Sequence, residues 1–309
     1  MRAFILRHSR KIIYTIFAIA ALWGVGRAYF LITDGFREAN IQSELPASLT
    51  RANSGDETLA RAILKQPFHY LAKGCQAYCF ISDDGKYVLK FFKYQRYQIS
   101  PFLTPFTFIP SVNDYVNKRR QHKLEKLEFF MQAWIIANDH LKEESGLVYV
   151  HLSKSQNLNQ PIVFFDKMGF RHELQADNLE FLIQRTAEPL QKVIVKSSTE
   201  QSIALIDQLI DMLVYEYSIG LGDHDPALLQ NTGVYNGKPF HIDVGQFYFN
   251  PQFKEPRGYY QDLFNRTYEM REWLKRTNPD VEIALTQKLK KLMGDDFEKM
   301  KPYFGRFRD

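Results

Sequence analysis

The sequence predicts an α+β protein: an antiparallel sheet with one long helix in the N-terminal half, a smaller and mostly helical C-terminal half, and an apolar helix ahead of both. Three observations predict it. Short runs of aromatic and β-branched residues between 68 and 167, most of them bounded by turn residues, read as strands. Residues 113–141 and 200–219 repeat apolar side chains every three or four positions, the spacing of a helix with one buried face. Residues 12–26, IIYTIFAIAALWGVG, are 15 in a row without a charge.

The apolar run comes first. Arg2, Arg7, Arg10 and Lys11 precede it, Arg27 interrupts it, and residues 28–32 resume it. An arginine at that depth can bend its charge to the interface, which lets the segment extend over 12–32 and approach the length of a span. A basic end before an apolar core also suits a signal peptide, but no small-x-small cleavage site follows. Residues 1–33 therefore read as a signal or membrane anchor, best as a retained single pass. A cleaved signal and an interfacial or buried helix are the alternatives. Positive charge ahead of the span would place the rest of the chain outside the cytoplasm; the side of the membrane stays open. Residues 34–66 are polar, with Thr50, Asn53, Ser54 and Gly55, and read as a linker ending in a short helix near 57–64.

Residues 68–82 read as strand, tight turn at Gly74, strand. Asp83-Asp84-Gly85-Lys86 is a hairpin turn, and 87–92 a third strand carrying Lys90 among apolar neighbours. The long helix over 113–141 begins with Lys118, Arg119, Arg120, Lys123, Glu125, Lys126 and Glu128, a charged face that can rest on anionic lipid near the anchor. Residues 146–153 and 161–167 read as two more strands, making five with one helix after the third. Residues 174–191 are mixed and partly helical. The amphipathic helix over 200–219 leads into an acidic loop, and 260–276, 281–293 and 295–309 read as closing helices and a tail.

Composition is that of a globular chain of 309 residues, 45% hydrophobic and 24% charged, with net charge +5. No Arg/Lys run with interleaved aromatics stands out, so nucleic acid is not an expected partner. Cys75 and Cys79 are the only cysteines, and no Cys or His stands near them at ligand spacing. Both read as reduced packing residues rather than a disulfide or zinc site.

The chemistry concentrates in 222–247, GDHDPALLQNTGVYNGKPFHIDVGQF. One loop holds Asp223, His224, Asp225, Gln230 and Asn231; the other is His241-Ile242-Asp243-Val244-Gly245. Between them Asn236-Gly237 supplies the two positive-φ residues of a tight hairpin turn. Folding that hairpin brings the carboxylates together, and carboxylate and amide oxygens suit magnesium.

This layout resembles the active centre of the protein-kinase-like superfamily, and its loops are closest to those of phosphoinositide and small-molecule kinases. There a catalytic loop with Asp and a later Asn is followed by a hairpin and an Asp-Phe-Gly turn; Asp243-Val244-Gly245 stands in that turn's place. The resemblance implies a two-lobed protein-kinase-like fold, with a five-stranded N-lobe over 67–168 and a small helical C-lobe over 169–309. It implies ATP between the lobes, with Gly74, Gln76 and Ala77 over the phosphates and Lys90 orienting them. Glu125 or Glu128 would orient Lys90, and Met168, with Gly169 and Phe170, would form the adenine hinge. Asp243 with Asn231 or Gln230 would hold Mg2+, and Asp225 or Asp223 would receive the acceptor's proton. The acceptor would be a hydroxyl on a lipid, sugar or other small molecule, because the C-terminal half is small and lacks Ala-Pro-Glu. Departures are visible: one glycine of three in the phosphate loop, Val244 for Phe, and Asn231 six residues after Asp225 rather than five. The same fold without catalysis, a membrane-tethered binding module, is the alternative; a globular domain without this kinship is the third.

Overall fold

A 32-residue helix, α1 (Arg2–Thr33), opens the computed structural model, which describes residues 2–42, 49 and 51–303. Its segment Tyr14–Thr33 has mean hydropathy 1.7 and is long and apolar enough to cross a membrane. Parts of the expected linker (43–48 and 50) and of the expected tail (304–309) lie outside the described residues.

The end of α1 is tied to the body by charge. Asp34 pairs with Lys73 at 2.8 Å and Lys167 at 3.0 Å, and accepts from the Tyr70 hydroxyl at 2.8 Å. Burial alone would raise the Asp34 carboxyl, but these partners outweigh it and hold the group at about 2. A depressed carboxyl stabilises the fold above its ordinary value near 3.8, and that contribution fades as pH falls towards 2. Asp34→Asn is therefore expected to lower the thermal midpoint at pH 7, with the gap to the unsubstituted chain shrinking between pH 5 and pH 3. A gap that does not change with pH would contradict the pairing.

The body begins with β1 (Ser54–Gly55), α2 (Glu57–Ile63, capped by Asp56), and the meander β2 (Phe68–Lys73), β3 (Ala77–Ser82) and β4 (Tyr87–Phe92). Gly85 turns the β3–β4 hairpin at φ 69°. The long helix α3 (Pro110–His140) and short α4 (Lys142–Ser145) precede β5 (Leu147–His151), β6 (Pro161–Phe165), β7 (Arg171–Gln175) and β8 (Phe181–Arg185). All eight strands share one sheet in the order β1-β5-β8-β4-β3-β2-β6-β7. This corrects the expected five-stranded sheet. The strand beside β4 is β8, from the stretch expected to be partly helical, whereas β6 lies on the far side, between β7 and β2, and pairs parallel to β2. Phe181, Leu182 and Ile183 are fully buried; a short run buried on both faces carries no alternation to mark it as strand. Because β8 belongs to this sheet, sheet membership does not break at residue 168.

The chain then crosses by β9 (Glu188–Pro189) and α5 (Leu190–Lys196) to α6 (Thr199–Ser218), which starts on a Ser198/Gln201 capping box. Next come β10 (Leu221–Asp223), α7 (Leu228–Asn231), the hairpin β11 (Thr232–Tyr235) and β12 (Lys238–His241), β13 (Phe247–Phe249), α8 (Pro256–Thr277) and α9 (Pro279–Met293). α6, α8 and α9 bury one helical core through Leu209, Leu213, Leu263, Leu274, Leu285 and Leu289.

Strand periodicity decides which face sees what. Leu89 and Phe91 of β4 join Phe68, Phe80 and Phe164 in the core on one face of the sheet. Phe92 faces the other way, into a core with Met131 and Trp134 of α3 and with Leu221, Val244 and Phe247. The second core thus carries the sheet down to the acidic loops.

Candidate functional site

Lys90 shares the Phe92 face of β4, two residues back, and is buried. Its ammonium donates to the carbonyl oxygen of Ile242, the residue just before Asp243. Among the described residues Lys90 makes no ion pair. Together with Asp243, Val244, Trp134, Cys79, Gly74, Gln76 and Ala77 it lines an enclosed space of about 30 Å³, room for a water but not for a nucleotide.

The hairpin turns as expected, with Asn236 at φ 50° and Gly237 at φ 75°. Its register sets Thr232 opposite His241, and one step further the Ile242 amide donates to the Asn231 carbonyl at 2.7 Å. Asn231 therefore stands beside the Asp243 segment, half-buried, whereas Gln230 is exposed. Of the two amides, Asn231 is the one whose backbone the register sets beside Ile242. β10 and β13 pair the second side: Asp223 lies opposite Phe247, and the His224 amide donates to the Gln246 carbonyl at 3.1 Å. The Gln246 side chain then donates to Asp225 at 3.2 Å.

The two aspartates differ in setting. Asp223 is buried, receives the Asp225 amide at 2.9 Å and has Arg266 of α8 at 3.4 Å. Burial pushes its carboxyl up to about 6, against the pull of Arg266 and of the Asp225 amide. Arg266 also lies 3.9 Å from Glu216, and Glu216 is 2.5 Å from His241. Asp223 is thus part of a buried charge network that fixes the loop. Asp225 is only half-buried and shares its carboxylate between the Ala227 amide (2.9 Å) and Gln246, which leaves it the more accessible to a substrate. Next to it the His224 ring stacks on Tyr248 at 3.8 Å.

Two expected roles are not met. Glu125 is exposed and accepts from Gln121 at 3.0 Å, and Glu128 pairs with Arg51 at 2.7 Å. The reason is helix phase and height: α3 meets the Lys90 face through Trp134, nine residues beyond Glu125, or about 14 Å along the axis. Met168 is 47% exposed, in the turn between β6 and β7 at the sheet's outer edge, with β2 and β3 between that hairpin and β4. It cannot face this cleft. Thr186 to Pro189 instead link β8, the strand beside β4, to β11 of the hairpin, which β9 pairs with. Residues 256–260 form the start of α8.

The loop at Gly74 is held down from above. Lys93 donates to the Gly74 carbonyl and Arg96 to the Cys75 carbonyl. Desolvation and the nearby cations Arg96 and Lys73 lower Lys93 to about 8. Gln76 is buried against Gly245, where a Cβ would fall 2.1 Å from its side-chain oxygen, so a larger residue there would have to push the Gln76 side chain aside. Cys75 is exposed rather than packed, and both cysteines are free.

Among the described residues no group of three or more His, Cys, Asp or Glu side chains is arranged to hold a metal ion. Asp243 is the one carboxylate lining the space around Lys90, and Asn231 meets the neighbouring Ile242 through its backbone carbonyl. Sequence reasoning missed Gln246, Glu216 and Arg266, whose roles arise only when α6, α8 and the loops meet.

No protein-family model matches this chain, and no curated protein does. Among solved structures, a Mycobacterium tuberculosis protein in complex with erythromycin is similar at 15% identity and TM-score 0.30, over 91% of this chain and 75% of that one.

Proposed function

We propose that the chain is a membrane-anchored, protein-kinase-like phosphotransferase that moves the terminal phosphoryl group of ATP to a hydroxyl acceptor, with magnesium. The observation that carries the reading is the buried Lys90 ammonium at the Ile242 carbonyl, one residue from Asp243, on elements more than 150 positions apart in the chain. Part of the element order supports it: a three-stranded meander and one long helix, and, after four further strands, a helix, acidic loop, hairpin and Asp-Val-Gly.

The donor set is hard oxygen, which suits magnesium. A bound magnesium ion would neutralise charge on the phosphate oxygens during transfer. Asp243 and Asn231 are the residues to hold it. Lys90 is the cation for the phosphates, freed from its carbonyl when nucleotide enters. Gly74 to Ala77 lie over the phosphates, and Gln76 must leave Gly245 for the space to open. Asp225 accepts the proton of the acceptor hydroxyl, while Asp223 positions the loop through Arg266. The acceptor class is a lipid, sugar or other small molecule.

One observation favours a second reading, an inactive member of the same fold that binds without transferring. Lys90 has no carboxylate from α3 to orient it. Thermal unfolding of the full chain with ATP separates three outcomes. Active and binding forms are both stabilised, by about 2.7 kcal/mol at 100 times Kd, and only the active form requires Mg2+ and forms ADP. No shift with or without Mg2+ overturns both readings.

A further inference from the structure

Between β4 and the middle of α3 the chain leaves the body. Residues 97–109 carry three aromatic rings out into solvent: Phe102 is 83% exposed, Phe106 52% and Phe108 79%. Large apolar side chains on this scale cluster at binding faces rather than at random on a soluble surface. The first turns of α3 follow, with Tyr115 half-exposed and Lys118, Arg119 and Arg120 all exposed. Between Tyr94 and Lys126 there are six Lys or Arg against two acidic residues, Asp114 and Glu125. Aromatic rings beside cations are the composition of a surface that sits in lipid headgroups.

Contacts tie this projection to the exit of the apolar helix. The Tyr78 hydroxyl donates to the Gly35 carbonyl at 2.8 Å, two residues after α1 ends, and receives the Gln95 side chain at 2.9 Å. Ala39 and Gln42 share a surface hollow with Gln98. Lys123 of α3 donates to the carbonyls of Arg96 (2.8 Å) and Gln98 (2.6 Å), which fixes the basic turns of α3 to the same segment. The end of a membrane-length helix and the aromatic, basic projection are therefore joined through two side chains, Tyr78 and Gln95.

We propose that residues 97–120 form a second membrane contact, in which Phe102, Phe106 and Phe108 enter the headgroup region and Lys118, Arg119 and Arg120 meet anionic phospholipid. Residues flanking this segment border the site. Arg96 holds the loop at Cys75, and Phe129 of α3 lies 5.5 Å from the His224 ring beside Asp225. The contact would hold the site close to the bilayer. On the phosphotransferase reading, this makes the acceptor a hydroxyl presented at the lipid surface. The contact itself does not rest on that reading.

The test uses the full chain in nanodiscs of phosphatidylcholine alone or with 30% phosphatidylglycerol, without nucleotide, read by hydrogen exchange. Exchange in 98–120 is expected to slow at least fivefold in the anionic discs relative to the neutral ones, while α9 exchanges equally in both. Phe102→Ser/Phe106→Ser/Phe108→Ser and, separately, Lys118→Gln/Arg119→Gln/Arg120→Gln are expected to remove most of the difference. These side chains are exposed, so neither variant disturbs a core. Equal exchange of 98–120 in the two compositions, or protection that survives both variants, overturns the proposal. So does a chain that fails to enter the discs. ATP binding by the same samples reads the phosphotransferase proposal independently.

Discussion

Asp243→Ala is expected to reduce Mg2+-dependent ADP formation from ATP at least ~10³-fold, equivalent to about 4 kcal/mol of transition-state stabilisation. Asp243 is the carboxylate that the hairpin delivers beside Asn231 and beside the carbonyl that receives Lys90. Its fold contribution is small, one hydrogen bond from the Gly245 amide at 3.0 Å, worth about 1 kcal/mol. The thermal midpoint should therefore move by only a few degrees. Asp225→Asn is expected to cut transfer by a similar factor while leaving nucleotide affinity intact, because its place is on the acceptor side of the site. ADP formation and calorimetric ATP binding, measured on both variants, separate the roles. Full activity in Asp243→Ala would remove it from the site.

Arg266→Met is expected to cost about 3–5 kcal/mol of stability, because it leaves Glu216 and Asp223 buried without their cation. Both carboxylates lie within 4 Å of the guanidinium, and none of the three side chains is more than 5% exposed. Methionine fills much of the arginine stem's volume, so the loss reports charge rather than packing. The urea midpoint should fall by roughly 1 M or more. Adding Glu216→Gln should recover part of the loss, since the amide still meets His241 without a net charge. If the single variant unfolds at the midpoint of the unsubstituted chain, the network contributes nothing to the fold.

What could be read in the sequence was local. The Asn236-Gly237 turn, the Asp83–Lys86 turn and the apolar face of α6 each follow from chemistry within a few positions, and the structure has each of them. The strand expected over 161–167 is present, but its place in the sheet and the strand at 181–185 could not be read, because pairing is not local. Only tertiary packing sends Pro161–Phe165 between β2 and β7 and Phe181–Arg185 between β4 and β5. Glu125 failed for a similar reason. Periodicity gives the buried face of a helix, but not how far along its axis the neighbouring sheet makes contact.

The candidate site was legible as residue types in order, and partly as geometry. Which of Gln230 and Asn231 has its backbone beside Ile242 needed the hairpin register, which one hydrogen bond past Thr232 and His241 supplies. The contrast between Asp223 and Asp225 needed Arg266, which arrives from α8, 43 positions later. Met168 was misplaced once β6 was taken as the sheet's last strand, since a hinge must follow the strand next to the one carrying Lys90.

The most direct measurement is manganese binding to the full chain with ADP, followed by electron paramagnetic resonance, where Mn2+ stands in for magnesium. The account predicts nucleotide-dependent uptake of the ion that Asp243→Ala abolishes, Asn231→Ala weakens and Gln230→Ala leaves unchanged. Uptake that is the same in all four chains, or absent from the unsubstituted one, would contradict it.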